Sequence, residues 1–104
     1  RGTNSLPKPK RLILKPAGAA GKRTGYQLQQ AMGLGNDKRQ YNALMASTRQ
    51  LCRQYLNLQM TRHGQDDSDV ALVVTKVQKK HEFLRKFANA WPVRAWIQQF
   101  LRNH

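Results

Sequence analysis

The longest regular pattern in this chain is DKRQYNALMASTRQLCRQYLNLQ, residues 37–59. Asn36 or Asp37 can cap a helix at its start, and Gln40 stands three residues after Asp37, as a capping box requires. Apolar and small side chains then recur at spacings of three and four, the period of a helix with one buried face. We therefore predict a helix of about five turns, whose buried face comprises Tyr41, Leu44, Met45, Thr48, Leu51, Cys52, Tyr55, Leu56 and Gln59.

A shorter helical segment, Tyr26 to Leu34, precedes this helix. Gly33 and Gly35 stand at its end, and glycine suits the left-handed conformation that closes many helices. A glycine turn between two helices is also found in helix-turn-helix motifs. A helix-turn-helix-like arrangement around Gly33 to Gly35 is therefore one possible outcome.

Two further segments show helical spacing. The third continues from Val70 to Ala88, with Ser68 or Asp69 as its N-cap. Its valine run would also suit a strand, but its length, its cap and its spacing favour a helix. Pro92 predicts that one helix ends just before it and another begins, because proline is tolerated in the first turn of a helix but disrupts a helix interior. The last helix would bury Val93, Trp96, Ile97, Phe100 and Leu101.

These segments predict an all-α domain over residues 26–104, a compact bundle of three to four helices. Residues 1–25 differ in composition: they hold three of the four prolines, four of the seven glycines, seven basic residues and no acid. We expect a disordered basic tail there. Its apolar triplet, residues 12–14, would pack back on the domain or pair with a partner's groove. Because the chain begins with Arg1 rather than methionine, we expect it to be part of a longer protein.

Charge indicates the class of partner. The 104 residues carry 19 Lys and Arg against five Asp and Glu, a formal net charge of +14. Such an excess favours a polyanion, and phosphate backbones are the commonest one. The predicted nucleic-acid contacts are Lys8, Lys10, Arg11, Lys22 and Arg23 in the tail and Arg39, Arg49, Arg53, Lys76, Lys79, Lys80, Arg85, Arg94 and Arg102 on the helices.

Three functions fit this pattern. The favoured one is a nuclear DNA- or chromatin-binding module in transcription regulation, since the Lys8 to Arg11 cluster also suits an importin groove. An RNA-binding module is less favoured, because the aromatic residues lie on predicted core stripes instead of stacking surfaces. The third is a helical adaptor whose basic face binds an acidic protein partner. The sequence leaves base specificity and oligomeric state open.

The sequence does not predict an enzyme, a metal site, a cofactor or a membrane span. One cysteine and three dispersed histidines do not give the spacing of a zinc site. Asp66, Asp67 and Asp69 lack the regular oxygen pattern of a calcium loop. Cys52 and His81 both fall on apolar stripes, so we expect them to be packing residues. The longest apolar run is far shorter than the ~20 residues that a membrane helix needs.

Overall fold

The computed structural model describes residues 12–18, 20 and 25–103. Within these residues the chain forms four α-helices and no strand, which confirms the predicted all-α bundle. The helices are α1 (Leu28–Ala31), α2 (Lys38–Tyr55), α3 (Asp67–Lys80) and α4 (Trp91–Asn103), with 3-10 turns at Arg62–Gly64, Glu82–Lys86 and Ala88–Ala90.

Helix α2 is the centre of the bundle, and it packs against both α3 and α4. The buried Thr48 hydroxyl donates to the Leu44 carbonyl at 3.0 Å, so the one polar side chain that α2 buries is satisfied within its own helix. Each fully buried aliphatic or aromatic side chain contributes about 1.5–3 kcal/mol to folding. The largest fully buried side chains are Trp96, Phe87, Leu44, Leu84, Ile97, Val70, Val73, Val77 and Val93.

The start of α2 is as predicted, and its end is not. The Asp37 carboxylate accepts a hydrogen bond from the Gln40 amide at 3.0 Å. The helix stops at Tyr55, four residues short of the predicted end at Gln59. The buried Gln65 side chain explains the stop, because it accepts from the Asn57 amide and donates to the Asn57 and Met60 carbonyls. Gln59 and Tyr55 are consequently exposed instead of buried.

The predicted cap of α3 was wrong by two residues or more. Asp66, and neither Ser68 nor Asp69, caps the helix: its carboxylate accepts from the Ser68 amide at 3.0 Å and from the Ser68 hydroxyl at 2.9 Å. These hydrogen bonds lower the pKa of Asp66. Asp67 and Asp69 then lie in the first turn, where the helix dipole favours negative charge.

The third segment is not one helix through Ala88. α3 ends at Lys80, and the chain continues through 3-10 turns to α4. Leu84, Phe87 and Ala90 are nevertheless buried. Their spacing of three is the period of a 3-10 helix as well as part of the α-helical pattern, so the sequence did not distinguish the two. Pro92 occupies the second position of α4, as the predicted break requires.

Helix α1 is a single turn, LQQA. It is shorter than the predicted segment from Tyr26 to Leu34. The predicted glycine stop is present, because Gly33 has φ +80°, in the left-handed region that glycine adopts without strain. The turn at Gly33 therefore joins one helical turn, rather than a full helix, to α2. Leu28, Met32 and Leu34 anchor the segment in the core.

Residues 12–18, which we call the strap, lie against the connection between α3 and α4. The Ile13 amide donates to the Lys86 carbonyl at 2.8 Å, and the Ile13 carbonyl accepts from the Ala88 amide at 2.9 Å and from the Trp91 indole at 2.9 Å. This confirms that the apolar triplet docks on its own domain. It docks through the backbone, because Leu12, Ile13 and Leu14 remain 49%, 40% and 76% exposed. The rest of the predicted tail, residues 1–11, 19 and 21–24, lies outside the described residues.

Candidate nucleic-acid interface

Helix α4 has one buried face and one polar face. Val93, Trp96, Ile97 and Leu101 are buried, whereas Arg94, Gln98 and Arg102 are exposed at steps of four residues. Residues four apart on a helix lie above one another, so these three side chains form a single row. The structure thus presents them as the sequence predicted, on the outer side of the last helix.

A cleft of about 780 Å³ lies between the strap and α4. We call it the strap cleft. Its apolar lining includes Tyr26, Trp91 and Ala95. The cations that line it are Lys15, Arg62, Arg94 and Arg102, and none of the described residues in its lining has a carboxylate.

Few of these cations are neutralised. Arg62 forms an ion pair with Asp67 at 3.2 Å, the only salt bridge within the part of the chain that the structure describes. The Asp67 side chain is 90% exposed, and an exposed pair of this kind contributes little stability. Arg94 donates from Nε to the Asn89 carbonyl at 2.8 Å, and Lys15 donates to the Gly18 carbonyl at 2.8 Å. Both contacts orient the cation without cancelling its charge.

A second groove runs between α2 and α4. It has a volume of about 290 Å³ and is lined by Arg49, Arg53 and Phe100, among others. The Arg53 guanidinium lies 5.3 Å from the centre of the Phe100 ring, a cation–π contact. Gln99 lines both this groove and the strap cleft, so the two are adjacent.

A third groove extends the charge in the other direction. It contains Arg85, and it shares Asn89 and Arg94 with the strap cleft. The three depressions therefore form one neighbourhood around α4, which we call the α4 basic surface. Its cations are Lys15, Arg49, Arg53, Arg62, Arg85, Arg94 and Arg102.

The lysines of α3 belong to a different surface. Lys76, Lys79 and Lys80 line a groove between α2 and α3 together with Tyr55, and the Lys76 ammonium lies 5.3 Å from the centre of the Tyr55 ring. On α2, Tyr55 and Arg53 are two residues apart, a rotation of about 200° around the helix axis. The α3 lysines and the groove that contains Arg49 and Arg53 consequently lie on opposite flanks of α2.

The predicted contact residues are therefore divided rather than gathered. Five of them lie on the α4 basic surface and three beside α3. Arg39 is exposed in the first turn of α2, and the five tail residues, Lys8, Lys10, Arg11, Lys22 and Arg23, lie outside the described residues. Sequence reasoning missed Lys15 and Arg62, since neither belongs to a periodic helix and only the tertiary structure brings them to α4.

Cys52 and His81 are the titratable side chains that the sequence placed on apolar stripes. Cys52 is buried, and burial raises the pKa of its thiol to about 11. His81 shares a hydrogen bond of 2.9 Å with the Ser47 hydroxyl, and burial followed by the charge of Lys80 lowers its pKa. Both are packing residues, as predicted. In the described ranges no three His, Cys, Asp or Glu side chains converge on a metal position.

The chain was compared with known families, curated proteins and solved structures, and none of the three comparisons finds a match. No helix among the described residues is long and apolar enough to cross a bilayer.

Proposed function

We propose that this chain is a nuclear DNA- or chromatin-binding module, without catalysis of its own, that contacts the phosphate backbone through the α4 basic surface. The observation that supports this proposal is the convergence of seven cations around one helix, of which only Arg62 has a carboxylate partner within the described residues. Phosphates are the natural complement of such a surface, because each one neutralised also releases condensed counterions.

The polar side chains of α4 suit a duplex. Gln98, Gln99 and Asn103 stand among the arginines, and glutamine or asparagine can bind adenine edges while arginine binds guanine. Phosphate contacts would set the position of the helix, and these amides would supply any base preference.

Burial of both tryptophans and of Phe87 favours duplex DNA over unpaired RNA. Recognition of unpaired RNA depends on exposed rings that stack on bases. Trp91, Trp96 and Phe87 are only 5%, 2% and 2% exposed. Tyr55 is 38% exposed, but it lies beside the α3 lysines and away from α4.

The test is a fluorescence-anisotropy titration of labelled duplex DNA with the full chain across a salt series. Replacing Arg94 and Arg102 by glutamine should reduce the slope of log affinity against log salt by about 1.8, which is 0.9 for each lost phosphate contact. The matched control replaces Lys79 and Lys80 by glutamine, the same change of charge on the opposite flank of α2. It should change the slope by less than ~0.5.

Equal losses in the two variants would show that net charge alone drives binding and would remove α4 as the interface. Absence of duplex binding at low salt would refute the function itself. The nuclear assignment is tested separately, by imaging a fluorescent fusion of the full chain with Lys8, Lys10 and Arg11 intact or replaced by alanine. No nuclear accumulation would contradict the nuclear assignment, and accumulation that does not depend on the three residues would contradict their role as an import signal.

A further inference from the structure

The strap cleft has an apolar interior that phosphate binding does not require. Tyr26 and Trp91 meet edge to face there, with ring centres 5.8 Å apart, and Ala88 and Ala95 complete the lining. Leu14 stands at the rim, 76% exposed. A phosphate backbone could contact the surrounding cations and leave this apolar surface uncovered.

The dimensions of the cleft point to a small occupant. Its volume of about 780 Å³ falls within the range of pockets that enclose a compact ligand, about 300–1,000 Å³. A duplex is too wide to enter such a cleft. A side chain of a peptide, with its neighbouring residues across the rim, would fit it.

The charge of the rim selects the kind of peptide. The cleft is lined by four cations, Lys15, Arg62, Arg94 and Arg102, and by no carboxylate from the described residues. A ligand with complementary charge is therefore acidic. The chain's own segments outside the described residues cannot supply it, because residues 1–11 and 21–24 contain lysine and arginine and no acid. These segments of the tail are therefore not the occupant.

We propose that the strap cleft binds an acidic peptide segment of a partner protein, with one large apolar side chain inserted beside Tyr26 and Trp91. The carboxylates of the peptide pair with the rim cations, and the apolar anchor provides the selectivity that charge alone lacks. This site goes beyond the proposed DNA-binding function. Because the two ligands share Arg94 and Arg102, the peptide competes with the duplex for the α4 basic surface.

The test uses the full chain and two fluorescein-labelled peptides, each a short run of glutamate and glycine with either leucine or serine at the centre. Their charge is identical, so the difference in affinity isolates the anchor. Burying a leucine side chain should strengthen binding about 10-fold or more. Unlabelled leucine peptide should also displace labelled duplex at a lower concentration than serine peptide.

A variant that fills the cleft locates the site. Ala95→Leu places extra carbon atoms in the lining and should abolish the leucine advantage while duplex binding persists. The matched control is Ala71→Leu at an exposed position on α3, which should leave both affinities unchanged. If Ala95→Leu fails to fold, methyl resonances of Ala88 and Ala95 in the wild-type protein report the contact, since the leucine peptide should shift them and the serine peptide should not.

Two results would overturn the proposal. Equal affinity for the two peptides would mean that charge alone attracts them, and a leucine advantage that survives in Ala95→Leu would place the anchor elsewhere. The peptide titrations contain no DNA. A chain that shows anchor-dependent peptide binding and no duplex binding would therefore refute the proposed function and leave this inference standing.

Discussion

The attachment of the strap depends on one side chain that the core also uses. The Trp91 indole donates to the Ile13 carbonyl at 2.9 Å, while its ring is 95% buried between edge contacts to Tyr26 and Phe87, with centres 5.8 and 5.3 Å away. Trp91→Phe keeps an aromatic ring and removes the donor. The Ile13 carbonyl retains its bond from the Ala88 amide, so no acceptor is left unpaired. The cost to the strap is therefore one hydrogen bond, about 0.5–1.5 kcal/mol.

Amide hydrogen exchange measures this cost directly. The exposed strap should open locally without unfolding of the core, so the Ile13 and Ala88 amides should exchange about 2- to 13-fold faster in Trp91→Phe. The control is Trp96→Phe. Trp96 is equally buried, but its indole donates to the Tyr41 hydroxyl at 3.2 Å within the bundle. That variant should lower core stability and change Ile13 exchange by less than ~2-fold.

Equal acceleration of Ile13 exchange in the two variants would show that the strap opens only when the whole domain unfolds. No acceleration in Trp91→Phe would show that the indole bond does not hold the strap. Either result would refute the hypothesis that the strap is attached locally through the Trp91 indole.

Three further variants test the fold by urea unfolding followed by circular dichroism. Gly33→Ala should lower the free energy of unfolding by about 1 kcal/mol, because alanine is strained at a φ of +80°. An added Cβ meets no atom within 4 Å there, so no clash adds to this cost. The control, Gly35→Ala, should not lower it, because Gly35 lacks that conformation. Gln65→Leu should cost about 1–3 kcal/mol, because it removes three part-buried hydrogen bonds, to the Asn57 amide and to the Asn57 and Met60 carbonyls. His81→Gln should remove a pH-dependent loss of stability. Burial and the charge of Lys80 lower the pKa of His81 below its usual 6.5, so the unfolded chain binds the proton more tightly, and stability falls as the pH drops from about 6.5 through the folded value.

Each of these expectations can fail on its own. Equal losses for the two glycine variants would indicate that the positive φ at Gly33 carries no cost. An unchanged midpoint for Gln65→Leu would mean that the loop after α2 does not depend on that side chain. An acid-dependent loss of stability that is the same with and without His81 would assign it to other groups.

Local patterns in the sequence were sufficient to predict the helices. The cap of α2 and the stop at Gly33 depend on atoms within four residues of one another, and the amphipathic period of α4 needs no partner to be recognised. The end of α2 was mispredicted because the Asn57 amide donates to the side chain of Gln65, eight residues further along, instead of continuing the helix. The end of α3 was mispredicted because the spacing of three residues between Leu84 and Phe87 fits a 3-10 turn as well as an α-helix.

Charge and periodicity together predicted a polyanionic partner and indicated which side chains face solvent. They did not determine how the cations are grouped. Arg53 and Lys76 both lie on the polar side of a predicted helix. The packing of α2 between α3 and α4 nevertheless places them on two different flanks of α2. Only the tertiary structure brings Lys15 and Arg62 to Arg94. Backbone hydrogen bonds between the strap and residues 86–88, more than 70 residues apart, place Lys15 there, and Arg62 lies in a 3-10 turn that packs against α4. The grouping of the cations depends on contacts between distant parts of the chain, whereas helical spacing is a pattern over a few neighbouring residues.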